Sequence, residues 1–164
     1  MSLPAASPSA SFWQRRIITP IRALLLQGIT PDKIAFTLAV STACSLLPFL
    51  GFTSLLNLGV GLWLRLNQPL MQLLNQLLGP VQLLLILVYV RVGEKIWHAA
   101  PMPISVSLIV QSFRADPGAF LQRFGWTGIH AATAWALSVP LIIAVLYYPL
   151  RGVMRKFAAP QPGS

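Results

Sequence analysis

Carboxylates are nearly missing from this sequence: Asp32, Glu94 and Asp116 are the three acidic residues among 164. They stand far apart, as do His98 and His130, so no carboxylate pair, metal-ligand spacing, nucleophile elbow or phosphate loop is spelled out. Catalysis, a bound metal and a cofactor are therefore not expected. Asp32 suits the start of a helix, and Glu94, three residues after Arg91, suits a local ion pair. The lone cysteine, Cys44, excludes an intrachain disulfide and a thiolate cluster, and its apolar setting fits a small buried side chain.

Charge of either sign is scarce as well. Charged residues make up 9% of the chain, against roughly 25% in soluble domains. Hydrophobic residues make up 55%, and the mean hydropathy is +0.70. A soluble globule of this composition could not cover its surface with polar groups, so the composition predicts an integral membrane protein. The net charge of +9 comes from twelve Lys and Arg scattered singly or in pairs. No basic face for nucleic acid forms, whereas cytoplasmic loops beside anionic headgroups account for the bias. Membrane lipids are the expected partners.

Residues 1–11 and the end of the chain, rich in Ser, Ala and Pro, read as tails. Residues 12–27 set aromatics and Arg15, Arg16 and Arg22 beside a short apolar face, which reads as an interfacial helix; the apolar run is too short for a signal peptide. Thr30-Pro31-Asp32 then spells a helix start: a cap, a first-turn proline and an acid at the positive end of the dipole. The 31 residues from Ile34 to Leu64 carry no charge. As one helix they would run ~46 Å, through a hydrocarbon core of ~30 Å. Two full spans do not fit either. A break at Pro48 to Gly51, giving half-length helices over 31–47 and 52–65, makes a hairpin with its tip in or near the membrane; a single tilted, kinked helix is the rival reading.

Leu66 to Val90 repeats the pattern with many amides (Asn67, Gln68, Gln72, Asn75, Gln76, Gln82) and Gly79-Pro80 near its middle. These amides argue for a protein-facing or water-facing segment and for a second broken-helix tip at Gly79-Pro80. Residues 28–95 thus form a membrane hairpin core, 96–123 an amphipathic interfacial segment, 124–150 a transmembrane helix and 151–164 a basic tail. The fold class is all-α: a polytopic integral membrane protein with broken or re-entrant hairpins, interfacial helices and a C-terminal transmembrane helix. Trp13, Trp63, Trp97, Trp126, Tyr147 and Tyr148 fall near the proposed helix ends, as interfacial aromatics do; Trp135 does not and should pack within the last helix. The N-terminus is expected inside. The C-terminus is left open, because making Leu66 to Val90 a full crossing would return it to the cytoplasm at the cost of placing Arg91 to Arg123 outside.

Gly28-Ile-Thr-Pro31 leading into Ile34-Ala35, then Leu47-Pro48 with Gly51, Arg65-Leu-Asn67 with Pro69, Pro80, and Arg91-Val-Gly93 resemble the bacterial inner-membrane family known as domain of unknown function 2062. The likeness covers about Gly28 to Lys95, and the last helix is compatible with it. Ser41 and Ser45 stand where that family has glycines, Thr53 where it has Gln, Gly79 where it has Asn and Gln82 where it has Thr. Pro48, Gly51 and Pro80 keep the backbone-breaking pattern, so the resemblance implies the family fold in a multi-pass protein of the bacterial inner membrane. It implies no established activity; a link to envelope glycosyl-transfer proteins in some relatives is a hint alone.

Where a helix stops within a membrane, the next half presents free N–H groups and a partial positive charge. Transporters place substrate sites at such discontinuities. The expected site residues are accordingly Pro48, Gly51, Thr53 and Ser54 at one tip and Asn75, Pro80 and Gln82 at the other, with Arg65, Asn67 and Arg91 at the following helix ends for an anionic headgroup or small solute. Two functions follow: a transporter or lipid-translocating component that acts as a homo-oligomer, or a non-transporting scaffold or accessory subunit for an envelope-biogenesis enzyme.

Overall fold

The computed structural model describes residues 29–102 and 105–158, together with Thr19. The expected tail over 1–11 and the interfacial helix over 12–27 lie outside the described residues, Thr19 apart, as does the end of the expected basic tail over 159–164. Every element among the described residues is helical: α1 Pro31–Ser45, α2 Phe52–Trp63, α3 Gln68–Ile96, α4 Val106–Ala115 and α5 Pro117–Ala158.

α1 starts as its sequence requires. The Thr30 hydroxyl accepts from the Lys33 N–H at 3.3 Å, Pro31 occupies the first turn and Asp32 follows it. The helix ends ahead of Pro48, whose ring disfavours helical backbone at Leu47. Gly51 then takes φ +87°, a left-handed conformation with no Cβ penalty, and α2 begins at the next residue. The break between two short helices therefore falls where Pro48 and Gly51 stand.

α2 closes in a Schellman motif: the Leu66 N–H donates to the Gly61 carbonyl at 2.8 Å and the Arg65 N–H to the Leu62 carbonyl at 3.2 Å. Arg65 itself is left-handed, φ +53°. α3 ends the same way, with Ala99 N–H on the Glu94 carbonyl at 2.9 Å and His98 at φ +50°. Asn67 caps α3, its Oδ1 accepting from the Leu70 N–H at 2.9 Å.

The second expected break is corrected. α3 runs unbroken through Gly79-Pro80 over 29 residues, ~44 Å of helix. Pro80 withholds one N–H from the Gln76 carbonyl, yet an apolar helix tolerates that loss where the remaining bonds and neighbours hold it. Gly79 has open space about it, and Pro80 is exposed. The helix that contains residues 124–150 is longer than that expected span. Asp116 separates α4 from α5, its Oδ1 accepting from the Ala119 N–H at 2.9 Å, and α5 continues for 42 residues through Pro140 and Pro149. The segment expected as a basic tail is helical through Ala158.

α1 is the buried centre. Ile34, Ala35 and Leu38 pack with Leu70 and Met154; Val40 and Cys44 with Leu66 and Met71; Leu46 beyond its end with Tyr89, Ala131 and Ala134. Because Leu70 meets Met154 while Gly93 meets His130, α3 and α5 run antiparallel. A Cβ on Gly93 would overlap the His130 carbonyl and lie 2.8 Å from the Ala131 nitrogen, so this glycine sets the close approach of the two helices. Trp135 reaches beyond its own helix, its Nε1 donating to the Ala43 carbonyl at 2.8 Å.

Outward, α3 exposes Val81, Leu83, Leu84, Leu87, Val88 and Val92, and α5 exposes Leu137, Leu141, Val145 and Tyr148. α3 and α5 are each long and apolar enough to cross a membrane.

Candidate functional site

The polar residues of the short helices face one another. Thr37, Ser41 and Ser45 recur every fourth residue along α1, and Thr53 and Asn57 do so along α2, which puts each set on one helix face. All five are buried. Ser41 Oγ lies 3.0 Å from both Asn57 Oδ1 and the Met71 carbonyl and shares its proton between them. Asn57 Nδ2 donates to the Thr53 carbonyl at 2.9 Å and to Ser45 Oγ at 3.1 Å.

α3 supplies the third wall. Asn75 Nδ2 donates to Ser54 Oγ at 2.9 Å, Gln72 Nε2 to the Ser54 carbonyl at 3.1 Å and Gln68 Nε2 to the Leu58 carbonyl at 3.1 Å. Gln82 Nε2 reaches the Leu47 carbonyl at 2.9 Å, beside the buried Pro48. The result is a neutral hydroxyl and amide junction among α1, α2 and α3. Gln68 Oε1 is buried without a partner among the described residues.

Of the expected site residues, Pro48, Thr53, Ser54, Asn75 and Gln82 do gather about the elbow between α1 and α2. Gly51 is the exposed left-handed start of α2, and Pro80 lies on the outer side of α3. Arg65 and Asn67 do not join them. They form the turn at the other end of α2, where Asn67 is a cap and Arg65 is exposed. Arg91 is likewise elsewhere. Its Nη1 binds Glu94 Oε2 at 2.7 Å, and the other Glu94 oxygen accepts from the Met102 N–H at 2.7 Å. Glu94 is thus a local ion-pair partner that also pins the chain leaving α3. Among the described residues the elbow brings no cation: Arg65 lies exposed at the far end of α2, and Arg91 is paired with Glu94 at the end of α3.

Ser41, Ser45, Asn57 and Gln72 belong to the junction although they were not among the expected site residues. The signal was their four-residue spacing on otherwise apolar helices. What no spacing tells is which face meets which.

A second polar cluster ties the start of α1 to the end of α5. Arg151 and Arg155 both reach Asp32, Arg151 with Nε at 3.0 Å from Oδ1 and Arg155 with Nη2 at 2.9 Å from Oδ2. Hydrogen bonds from Arg155 first and Arg151 second lower the Asp32 carboxyl from its ordinary 3.8 to about 2. Arg151 also lies over the Tyr147 ring, 5.9 Å from its centroid. At the far end His130 stacks on Trp97 at 5.3 Å. Among the described residues no three of His, Cys, Asp and Glu converge as metal ligands would.

These features define an all-helical protein with two apolar helices of membrane-spanning length and a neutral polar junction held by two shorter ones. Residues 14–159 match the model of a family described as an uncharacterized protein conserved in bacteria (DUF2062), and the chain belongs to that family. No curated protein and no solved structure matches it.

Proposed function

We propose that this is a multi-pass protein of the bacterial cytoplasmic membrane that helps a polar group, a lipid headgroup or a small solute, to cross. In this reading α3 and α5 span the bilayer antiparallel, and the α1–α2 hairpin enters and leaves on one side. Lengths support it: α1 has 15 residues and α2 has 12, ~22 and ~18 Å of helix against a core of ~30 Å. The elbow is apolar and exposed at Phe49, Leu50 and Phe52, which suits a tip that ends in hydrocarbon.

The distribution of Lys and Arg supports the cytoplasm as the hairpin's side of entry. Lys33, Arg65, Arg151, Arg155 and Lys156 share that end, and the sequence leading into α1 adds Arg15, Arg16 and Arg22. Arg91, Lys95, Arg114 and Arg123 belong to the other. Eight against four follows the positive-inside rule.

The observation that carries the translocation role is the junction of Ser41, Ser45, Ser54, Asn57 and Asn75. Neutral hydrogen bonds between membrane helices are worth only about 0.6–1.7 kcal/mol each, so such a junction can open where a buried ion pair could not. Its hydroxyls and amides fit the neutral polar part of a headgroup or solute. Purified protein in vesicles should accelerate the exchange of a labelled lipid or the flux of a small solute, and Asn57→Ala should change that rate by about tenfold. Vesicles no faster than protein-free ones, at every headgroup and solute tried, would remove the translocation role.

One observation favours a second reading. The junction's side chains partner one another, so it can fasten the hairpin with no ligand present. A scaffold or accessory subunit for an envelope enzyme would need no more than this, and crosslinking in cells would recover a stoichiometric enzyme partner with no flux in vesicles.

A further inference from the structure

We infer that the cleft between α4 and the start of α5 binds a zwitterionic phosphate–ammonium headgroup, of which phosphatidylethanolamine is the bilayer source. The inference rests on the membrane-spanning reading of α5 and is independent of the hairpin's role. The cleft is open on one side and offers about 160 Å³, too small for a drug-sized ligand of several hundred Å³ and suited to a headgroup. Its floor is apolar, with Ile109 from α4 and Ala119 and Phe120 from α5, and its polar groups are Ser112, Asp116 and Arg123.

Opposite charges line this one cleft without pairing. Asp116 and Arg123 form no ion pair among the described residues, although both are exposed and nothing charged competes for them in the cleft. Asp116 spends Oδ1 on the Ala119 N–H at 2.9 Å, which leaves Oδ2 free to accept. Arg123 has only a long contact, Nη2 to the Pro101 carbonyl at 3.4 Å, so its guanidinium is available to a phosphate. A phosphate on Arg123 and Ser112, with an ammonium a few atoms away on Asp116, satisfies both charges at once. The apolar floor then accepts the glycerol and the first acyl carbons.

The walls are held in place. Phe113 meets Phe120 edge to face at 5.5 Å, and Met102, which lines the cleft, is fixed through its N–H by Glu94 at 2.7 Å. Asp116 and Arg123 sit one residue before α5 and in its second turn. In the membrane-spanning reading that end lies at headgroup level, where a bilayer lipid presents this chemistry.

The test is lipid retention by the full-length protein purified from vesicles containing equal phosphatidylethanolamine and phosphatidylglycerol, read by native mass spectrometry. Wild type should retain phosphatidylethanolamine in excess. Asp116→Asn keeps the helix cap but loses the ammonium partner, so the preference should fall by about tenfold, the worth of one charge-assisted contact. Arg123→Gln should lower retention of both lipids alike, and Arg114→Gln, outside the cleft, should change neither. Circular dichroism melts of each variant establish that it is folded. A wild-type ratio equal to the bulk ratio, or an unchanged preference in folded Asp116→Asn, overturns the inference. Soluble glycerophosphoethanolamine that displaces the lipid at equal concentration would overturn the lipid as occupant and assign the same site to a free solute.

Discussion

At the scale of single residues, Arg65 separates two roles that a helix-end arginine can play. Its backbone is left-handed, a conformation that costs an L-residue roughly 1–2 kcal/mol and glycine nothing. Arg65→Gly should therefore hold or raise stability by roughly 0.5–1 kcal/mol after glycine's own chain entropy is set against the gain. Unfolding in mixed micelles measures this, and a loss of stability would show that the side chain matters more than the turn. Asp32 gives a pH prediction. Its carboxyl is held down to about 2 from an ordinary 3.8 by Arg155 and Arg151. A depressed carboxyl contributes stability above its unfolded pKa and loses that contribution as pH falls through its folded one. The tie between α1 and α5 should be intact above about pH 3.8 and lost toward pH 2. A melting curve against pH for wild type should show a decline in that window that Asp32→Asn lacks.

At the scale of elements, the same proline chemistry has two outcomes. Pro48 ends a helix because Leu47 before it and the left-handed Gly51 after it leave the chain no helical continuation. Pro80 does not, because α3 carries on on both sides and can lose one hydrogen bond. The α3–α5 pair depends on Gly93 in turn. A methyl there would meet the backbone of His130 and Ala131, which has no side-chain rotamer to give way, so the helices must part. Gly93→Ala should cost about 1–3 kcal/mol, the range for overpacking. By contrast Gly59→Ala, in open space on α2, should cost nothing measurable. Equal melting temperatures for the two variants would refute this account of the pair.

At the scale of the whole molecule, one proposed topology follows from α3 being a single long helix. In that proposal two antiparallel crossings return the chain to its starting side, and the start of α1 and the end of α5 would share the cytoplasm. In a Cys44→Ala background, Lys33→Cys and Arg155→Cys should react only with a reagent admitted to the cytoplasm. Gly118→Cys should react from outside in intact cells. Labelling of Gly118→Cys and Arg155→Cys from the same side would exclude the antiparallel pair. Cys44 itself, buried beneath Val40, Leu66 and Met71, should resist modification in folded protein.

Sequence alone determined whatever depends on neighbours along the chain. The start of α1 at Thr30-Pro31-Asp32, the break at Pro48 and Gly51, the Arg91–Glu94 pair and the apolar spans were all legible there, because caps, turns and hydropathy are local. Tertiary structure decided what depends on which faces meet. Ser41 and Asn57 are 16 residues apart and Asp32 and Arg155 are 123 apart. No pattern along one helix says which other helix will lie against it. The uninterrupted course of α3 belongs to the same category, since a proline inside an apolar helix is a break or a passage according to the bonds and neighbours that remain around it.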